Sequence, residues 1–443
     1  MNADTKRIMR KRMNRRMEIF NEVSESFEID RTQLKMHQIK KLRETLLHVF
    51  DHCQFYQNRM ISAGINRRIL EATDKLEDIQ GIPFTTRKDI HSQYPFGLLS
   101  SPKEDLIRYG ESTGTTDQPI NSCYTYEDWF ENNCIVAYYL SSIISPADTV
   151  AVIVPYGYAL VGQDVDRALE LVGANIIAIG TLSSACPVER VVRTLINTET
   201  TVLVCSPSRA IYLGEEIRKA GYNPAKDFCV NRILCVGEGT SEEKAKRIKE
   251  IWNAECYPMF GMTETNTLAM PCVCKRLHLT ENKVLFEVID PYTLQSLGED
   301  VRGELVVTSF VKGIPLIRYR TGDLVTIHSK TCECGASFRY LEHHGRLQDC
   351  VLLHNKKYQI LDLEDVILKV SHACFYTLKV QGDALQVGLV VDEDKFDDAR
   401  EKVIRGLKEQ FDIDADVMLK EDDKIMEIIR NKVKPSISSV LEV

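Results

Sequence analysis

The residues most able to do chemistry lie in the run Tyr109-Gly110-Glu111-Ser112-Thr113-Gly114-Thr115-Thr116-Asp117-Gln118-Pro119. Its core sets four hydroxyl side chains and a glycine in five consecutive positions, Ser112 to Thr116. A tight loop of this kind can surround a polyphosphate with hydroxyl and backbone N–H donors. It is not a GxxxxGK[ST] loop, since Thr115 stands five residues after Gly110. Read alone, it is equally an ordinary hydroxyl-rich turn. Three further segments carry groups that suit a nucleotide. In Phe260-Gly261-Met262-Thr263-Glu264-Thr265 a ring could stack on a base and a carboxylate could hold Mg²⁺. In Tyr319-Arg320-Thr321-Gly322-Asp323-Leu324 the Asp after Gly could accept hydrogen bonds from ribose hydroxyls, or could simply shape a β-turn. In Gly345-Arg346 a guanidinium could grip phosphate or ribose. Separately, Cys272-Val273-Cys274, His278 and Cys332-Glu333-Cys334 offer thiolates and an imidazole, a donor set suited to tetrahedral zinc.

The elements that must position these groups follow from periodicity. Helical spacing from Leu34 to Ile61 ends near Gly64, and Ile82-Pro83-Phe84-Thr85-Thr86 breaks it. From Asp148 strand and helix alternate. Strands are expected at Val150 to Val154, Asn175 to Ile179, Thr201 to Cys205 and Arg232 to Val236. Helices are expected at Val165 to Val172, Val188 to Ile196 and Ser208 to Ala220. That order predicts a parallel sheet covered by helices. Short strands between Lys283 and His328 predict an antiparallel or barrel-like subdomain. The tail reads β-α-β-β-α-β, a small α+β domain. The expected class is therefore α/β, with a large N-terminal domain over 1–346 and a small α+β domain over 347–443.

Composition narrows the class. The 443 residues carry 44% hydrophobic side chains and a net charge of −8, enough for a large core and a poor match to nucleic acid as a bulk partner. Lys6, Arg7, Arg10, Lys11, Arg12, Arg15 and Arg16 form a local basic cluster, read either as a membrane or nucleic-acid arm or as a solvated helix, the reading adopted here. No stretch reaches the ~18 apolar residues of a membrane span, so no membrane role is expected. Fourteen cysteines without a secretion signal point to reduced thiols and a cytoplasmic protein.

The hydroxyl-rich loop, Phe-Gly-Met-Thr-Glu, Thr-Gly-Asp and Gly-Arg occur in that order along the chain. With Pro83-Phe84-Thr85-Thr86-Arg87-Lys88-Asp89, Tyr94-Pro95-Phe96-Gly97-Leu98-Leu99 and Ser206-Pro207-Ser208, they make the chain resemble the adenylate-forming superfamily, and within it the phenylacetate-CoA ligase family. The resemblance implies an ATP-dependent ligase that forms an acyl-adenylate and then a thioester. Its implied cofactors are ATP, Mg²⁺, CoA or a carrier-protein pantetheine, and Zn²⁺. The implied substrate is a small carboxylic acid, aromatic by preference. A carrier-protein or amine acceptor, a catalytically impaired homologue and a homodimer stay open as alternatives.

By the same resemblance Ser112, Thr113, Gly114, Thr115 and Thr116 hold the β- and γ-phosphates, while Gly237-Glu238-Gly239 and Phe260-Gly261-Met262-Thr263 flank the adenine. Glu264 holds Mg²⁺, Asp323 the ribose, and Arg346 the ribose or phosphate. Lys432 is the catalytic lysine, with Lys434 as second choice, and Gln348 is the hinge. Cys274, His278, Cys332 and Cys334 are the zinc ligands, with Cys272 the competitor of Cys274. Tyr156, Tyr158 and the segment from Gly237 are candidate linings of the acyl pocket. The sequence departs from the family at Asp117-Gln118, where Gly-Lys is usual, at Gln348, and at His354-Asn355-Lys356-Lys357.

Overall fold

The computed structural model describes residues 3–112, 119–371 and 373–420, with side chains from residue 6 onward. Expected groups at Thr113, Gly114, Thr115, Thr116, Asp117, Gln118, Lys432 and Lys434 lie outside the described residues.

Five helices open the chain: α1 (Ala3–Glu28), α2 (Arg31–His52), α3 (Gln54–Ser62), α4 (Arg67–Glu71) and α5 (Arg87–Ser92). The single helix expected over Leu34 to Ile61 is two helices. Cys53 stands between them in extended conformation and serves as C-cap of α2 and N-cap of α3. Asp30 and Gln33 form a capping box that starts α2, and Thr86 and Asp89 form one that starts α5. A hairpin of β1 (Leu106–Glu111) and β2 (Asn121–Thr125) then leads into α6 (Tyr126–Leu140), which Thr125 and Asp128 cap.

Next comes an alternating run of β3 (Thr149–Val152), α7 (Val161–Val172), β4 (Asn175–Ala178), α8 (Val188–Asn197), β5 (Val202–Cys205), α9 (Pro207–Lys219), α10 (Pro224–Asp227), β6 (Arg232–Cys235), α11 (Glu242–Trp252) and β7 (Glu255–Pro258). The strands form a parallel sheet in the order β4-β3-β5-β6-β7. All four residues of β5 are buried, as helices on both faces require. Each such Val or Leu contributes roughly 1.5–3 kcal/mol by leaving water. One core, including Leu203, Ile211 and Trp252, fills one side of the sheet. Another, including Ile135, Val152 and Leu169, fills the other. The strand order reverses at β3, whose neighbours β4 and β5 lie on opposite sides of it. In open parallel sheets ligands bind at such a reversal, beyond the carboxyl ends of the strands.

A second sheet is antiparallel: β8 (Phe260–Met262), β9 (Asn266–Pro271), β10 (Leu277–Leu279), β11 (Val284–Ile289), β12 (Arg302–Ser309), β13 (Tyr319–His328) and β14 (Tyr340–Arg346), in the order β11-β12-β13-β14-β10-β9-β8. Its core is shared with α2 through Leu42, Leu46 and Val49. After a turn containing Gln348 come β15 (Cys350–Leu353), β16 (Lys356–Gln359), α12 (Ile360–Ser371), β17 (Phe375–Gln381), β18 (Ala384–Val390), α13 (Phe396–Phe411) and β19 (Ala415–Leu419). This part therefore starts with a hairpin, one strand more than the expected β-α-β-β-α-β. It keeps its own core around Leu363, Leu378, Val387 and Val403.

Candidate active site

Glu264 and Asp323 are brought together through Tyr319. The Tyr319 hydroxyl donates to Glu264 Oε1 at 2.8 Å, and Asp323 lies four residues further along β13. Tyr319 is itself fixed from behind. Thr85, fully buried, pairs with it in a β-bridge and donates its hydroxyl to the Ile317 carbonyl at 2.6 Å. Arg318 stacks over Phe84 at 4.0 Å and donates to the carbonyls of Gln80 and Ile82. The Pro83 to Thr86 segment thus acts as a buttress for the strand that carries the acidic groups.

Asp323 is 1% exposed. His343 Nε2 lies 3.0 Å from its Oδ1, and Arg346 Nε lies 3.5 Å from the same oxygen. Its second oxygen, Oδ2, is buried without a hydrogen-bond partner. Burial alone would raise this carboxyl. The His343 hydrogen bond and the Arg346 charge outweigh it, so Asp323 lies below the ordinary value and is ionised. Arg346 is raised, first by Asp323. A buried acceptor left unsatisfied costs roughly 1–3 kcal/mol, so an ionised oxygen with no donor marks a place for a ligand hydroxyl. The His343 ring also lies 4.9 Å from that of Phe260, which ties this cluster to the mouth of the neighbouring cavity.

That cavity, about 1040 Å³ when the open solvent at its entrance is counted, lies where the switch point predicts. Residues just beyond strand ends line it: Ile153 after β3, Ser206 after β5, Gly237 after β6 and Met259 after β7. Phe260, Gly261, Met262 and Thr263 complete the same wall. Gly237 holds φ +94°, a conformation that a side chain would strain. Opposite lie Tyr124, Val136, Leu160, Val165 and Met270, with the carboxyl of Asp164 among them.

A third cluster gathers Cys272, His278, Cys332 and Cys334, whose donor atoms all lie within 4.8 Å of one another. The Cys272 and Cys332 sulfurs are 3.8 Å apart, and His278 Nε2 is 3.3 Å from the Cys334 sulfur. A tetrahedron with about 2.3 Å metal–sulfur bonds has edges of about 3.8 Å. His278 Nδ1 donates to the Phe338 carbonyl at 2.8 Å, which leaves the Nε2 lone pair facing the thiols. The donor set therefore fits a closed zinc site.

No family model matches the chain. Over 350 residues it is 29% identical to the phenylacetate-coenzyme A ligase of Thermus thermophilus, with 77% of each chain covered. Over 346 residues it is 27% identical to the phenylacetate-coenzyme A ligase of Pseudomonas putida, with 76% of each covered. The solved 2-hydroxyisobutyryl-CoA ligase in its postadenylation state superposes with a TM-score of 0.81 at 18% identity, covering 91% of this chain and 93% of that one. The chain resembles the phenylacetate-CoA ligases of the adenylate-forming superfamily.

Set beside that resemblance, Glu264, Asp323, Arg346 and Phe260 form one connected group, and Gly237, Gly261, Met262 and Thr263 line the adjoining cavity. Ser112 hydrogen-bonds the backbone of Ile120 across the base of its loop, with Ser112 N donating to the Ile120 carbonyl at 2.7 Å and Ile120 N to the Ser112 hydroxyl at 2.9 Å. Glu238 turns away from the cavity: its carboxylate accepts from Ser208 N in the first turn of α9, where the helix dipole favours a negative charge. Neither Glu238 nor Gly239 is part of the lining. Of the two competing cysteines, Cys272, buried just after β9, is the one that lies within 4.8 Å of His278, Cys332 and Cys334, while Cys274 is exposed and meets only the Cys272 and Cys332 thiols. Tyr156, which donates to Asp166, and Tyr158, which is 71% exposed, are not among the residues that line this cavity. Asp164 and His343 were not singled out from the sequence. Tyr124, in the family-like pair Tyr124-Thr125, and Tyr319, at the head of the Tyr-Arg-Thr-Gly-Asp run, carried a signal but were given no role.

Proposed function

We propose that this protein is an ATP-dependent, AMP-forming acid–thiol ligase of the phenylacetate-CoA ligase type. The observation that carries the proposal is Asp323, an ionised buried carboxylate with one oxygen unpartnered, held by His343 and Arg346 next to Phe260. That arrangement suits the two hydroxyls of an AMP ribose, with the adenine stacked against Phe260. A carboxylate is a poor acyl donor because oxide leaves badly. Attack of its oxygen on the α-phosphorus of ATP, with pyrophosphate leaving, converts it to a mixed anhydride. A thiolate, that of CoA in this reading, then attacks the acyl carbon and AMP departs.

Glu264 offers a hard oxygen for Mg²⁺, which when bound would neutralise charge on the triphosphate. Tyr319 keeps that carboxylate oriented. Arg346, half-exposed, can reach either ribose or phosphate. Lys432 is assigned to the charge that develops on the phosphate oxygens, and the loop from Ser112 to Thr116 to the outer phosphates. Cys272, His278, Cys332 and Cys334 would hold a structural zinc, since four protein ligands leave no open position. The turn at Gln348 is the point about which the small domain would move between the two steps.

The test is pyrophosphate release with ATP, Mg²⁺ and a panel of aryl and aliphatic acids, followed by addition of CoA. Acid-dependent release is expected. Asp323→Ala should lower kcat/KM by about a hundredfold, the value of roughly two charge-assisted hydrogen bonds. ATP binding without pyrophosphate release for every acid would refute the proposal.

A further inference from the structure

The proposed ligase reading leaves open which acids fit, and this inference rests on that reading. We propose that the cavity selects acids bearing a hydrogen-bond-donating substituent, a hydroxyl or amino group on the acyl portion, and that Asp164 is the residue that receives it. The wall around Asp164 is otherwise suited to a bare hydrocarbon, with Val136, Leu160, Val161, Val165 and Met270 close by. Asp164 breaks that pattern. It lies in the first turn of α7, is 5% exposed, and still lines the cavity.

A buried carboxylate is costly unless it is paired. Asp164 receives one hydrogen bond of ordinary length, from Trp129 Nε1 to Oδ1 at 2.8 Å, has the Asn266 amide as a looser neighbour, and forms no salt bridge among the described residues. The nearby cations are engaged elsewhere. Lys283 donates to Asn132 Oδ1 at 2.6 Å, and Arg108 lies over the Trp129 ring at 4.2 Å. Burial pushes the Asp164 carboxyl up to about 6, in keeping with a group short of partners. Asn266, also in the lining, sets its side chain beside the Asp164 carboxyl, and its buried amide nitrogen makes no hydrogen bond of ordinary length. An acceptor and a donor on one apolar wall match a hydroxyl, which can both give and take a hydrogen bond. An acid lacking the substituent would leave both groups short of partners when it expels water, and such sites discriminate against the bare analogue.

The experiment compares phenylacetate with its ring-hydroxylated, ring-amino and ring-methoxylated isomers, using the full chain and pyrophosphate release. Asp164→Asn keeps an acceptor for Trp129 but removes the charge, and Asp164→Leu removes both. For the wild type, at least one hydroxy or amino acid should exceed phenylacetate and the methoxy isomers by tenfold or more in kcat/KM. The ratio should fall towards one in Asp164→Asn and invert in Asp164→Leu, with the melting temperature of Asp164→Asn kept as the folding control. Equal use of phenylacetate, or a preference that survives in Asp164→Asn, overturns the proposal and leaves the ligase reading intact. If no acid releases pyrophosphate, the ligase reading fails. Quenching of Trp129, one of two tryptophans in the chain, then decides the pocket. Selective quenching by the hydroxy or amino acids in the wild type and not in Asp164→Asn sustains the proposal, and an equal or absent response overturns it.

Discussion

Two carboxyl groups buried in the same half of the molecule behave in opposite ways, and their neighbours explain why. Asp323 has His343 and Arg346 against it and is driven down; Asp164 has an indole N–H and distant cations and is driven up by burial to about 6. The second case has a stability consequence. A carboxyl whose folded value lies above its unfolded value of 3.8 binds its proton more tightly in the native state. Native stability therefore falls as pH rises from about 4 to about 6 and stays lower beyond, by up to about 3 kcal/mol. Asparagine does not titrate. Asp164→Asn should gain stability relative to wild type at pH 8 compared with pH 4, measured by urea unfolding at the two values; an unchanged difference would contradict the burial argument. Tyr319→Phe tests the other cluster. Loss of a single hydrogen bond to Glu264 is worth about 1 kcal/mol, so kcat should fall roughly five- to tenfold with little change in the KM for the acid.

At the scale of elements, legibility followed locality. The alternating strands and helices from Thr149 to Cys235 were readable because β3, β5 and β6 are short runs, apolar apart from the leading Thr149 and Arg232. The break at Cys53 was not, since the apolar spacing of α2 continues through it and only the backbone turns. The acidic groups of the site were readable from Gly-Asp and Thr-Glu pairs. His343 was not, because it reaches Asp323 across the β13–β14 pairing and has no local signature. Asp164 was hidden for a related reason, as one polar residue in an amphipathic helix looks solvent-facing until the sheet is built beneath it. The thiol cluster shows the same limit: Cys272 and Cys274 lie in a turn, closed by Lys275 N donating to the Cys272 carbonyl at 2.8 Å, and spacing alone cannot choose between them. Cys272→Ser should lower bound zinc, measured by atomic emission, to well under one per chain and reduce the melting temperature. Cys274→Ser should do neither. Equal loss in both variants would place Cys274 back among the ligands.

At the scale of the whole molecule, the small domain is seated on the large one chiefly through α12 against α11. Lys244 Nζ lies 2.6 Å from Glu364, the two side chains being 7% and 0% exposed, and the Tyr376 hydroxyl donates to the same Glu364 oxygen at 2.8 Å. Glu243 N donates to Asp365, and Phe375 of the small domain enters the core beside the parallel sheet. Removing one partner of a buried ion pair leaves a stranded charge and costs about 3–5 kcal/mol. Glu364→Gln should therefore loosen the seat and speed proteolytic cleavage at the turn Leu347-Gln348-Asp349; unchanged cleavage would show that the seat does not depend on the pair. A second ion pair at the rim, Arg302 with Asp362, is 38% and 37% exposed. Dissolved ions reach the rim pair and not the buried one. Raising the ionic strength should consequently erode only the outer contact, so the two halves stay together in concentrated salt and part mainly when something competes for Lys244 or Glu364 directly.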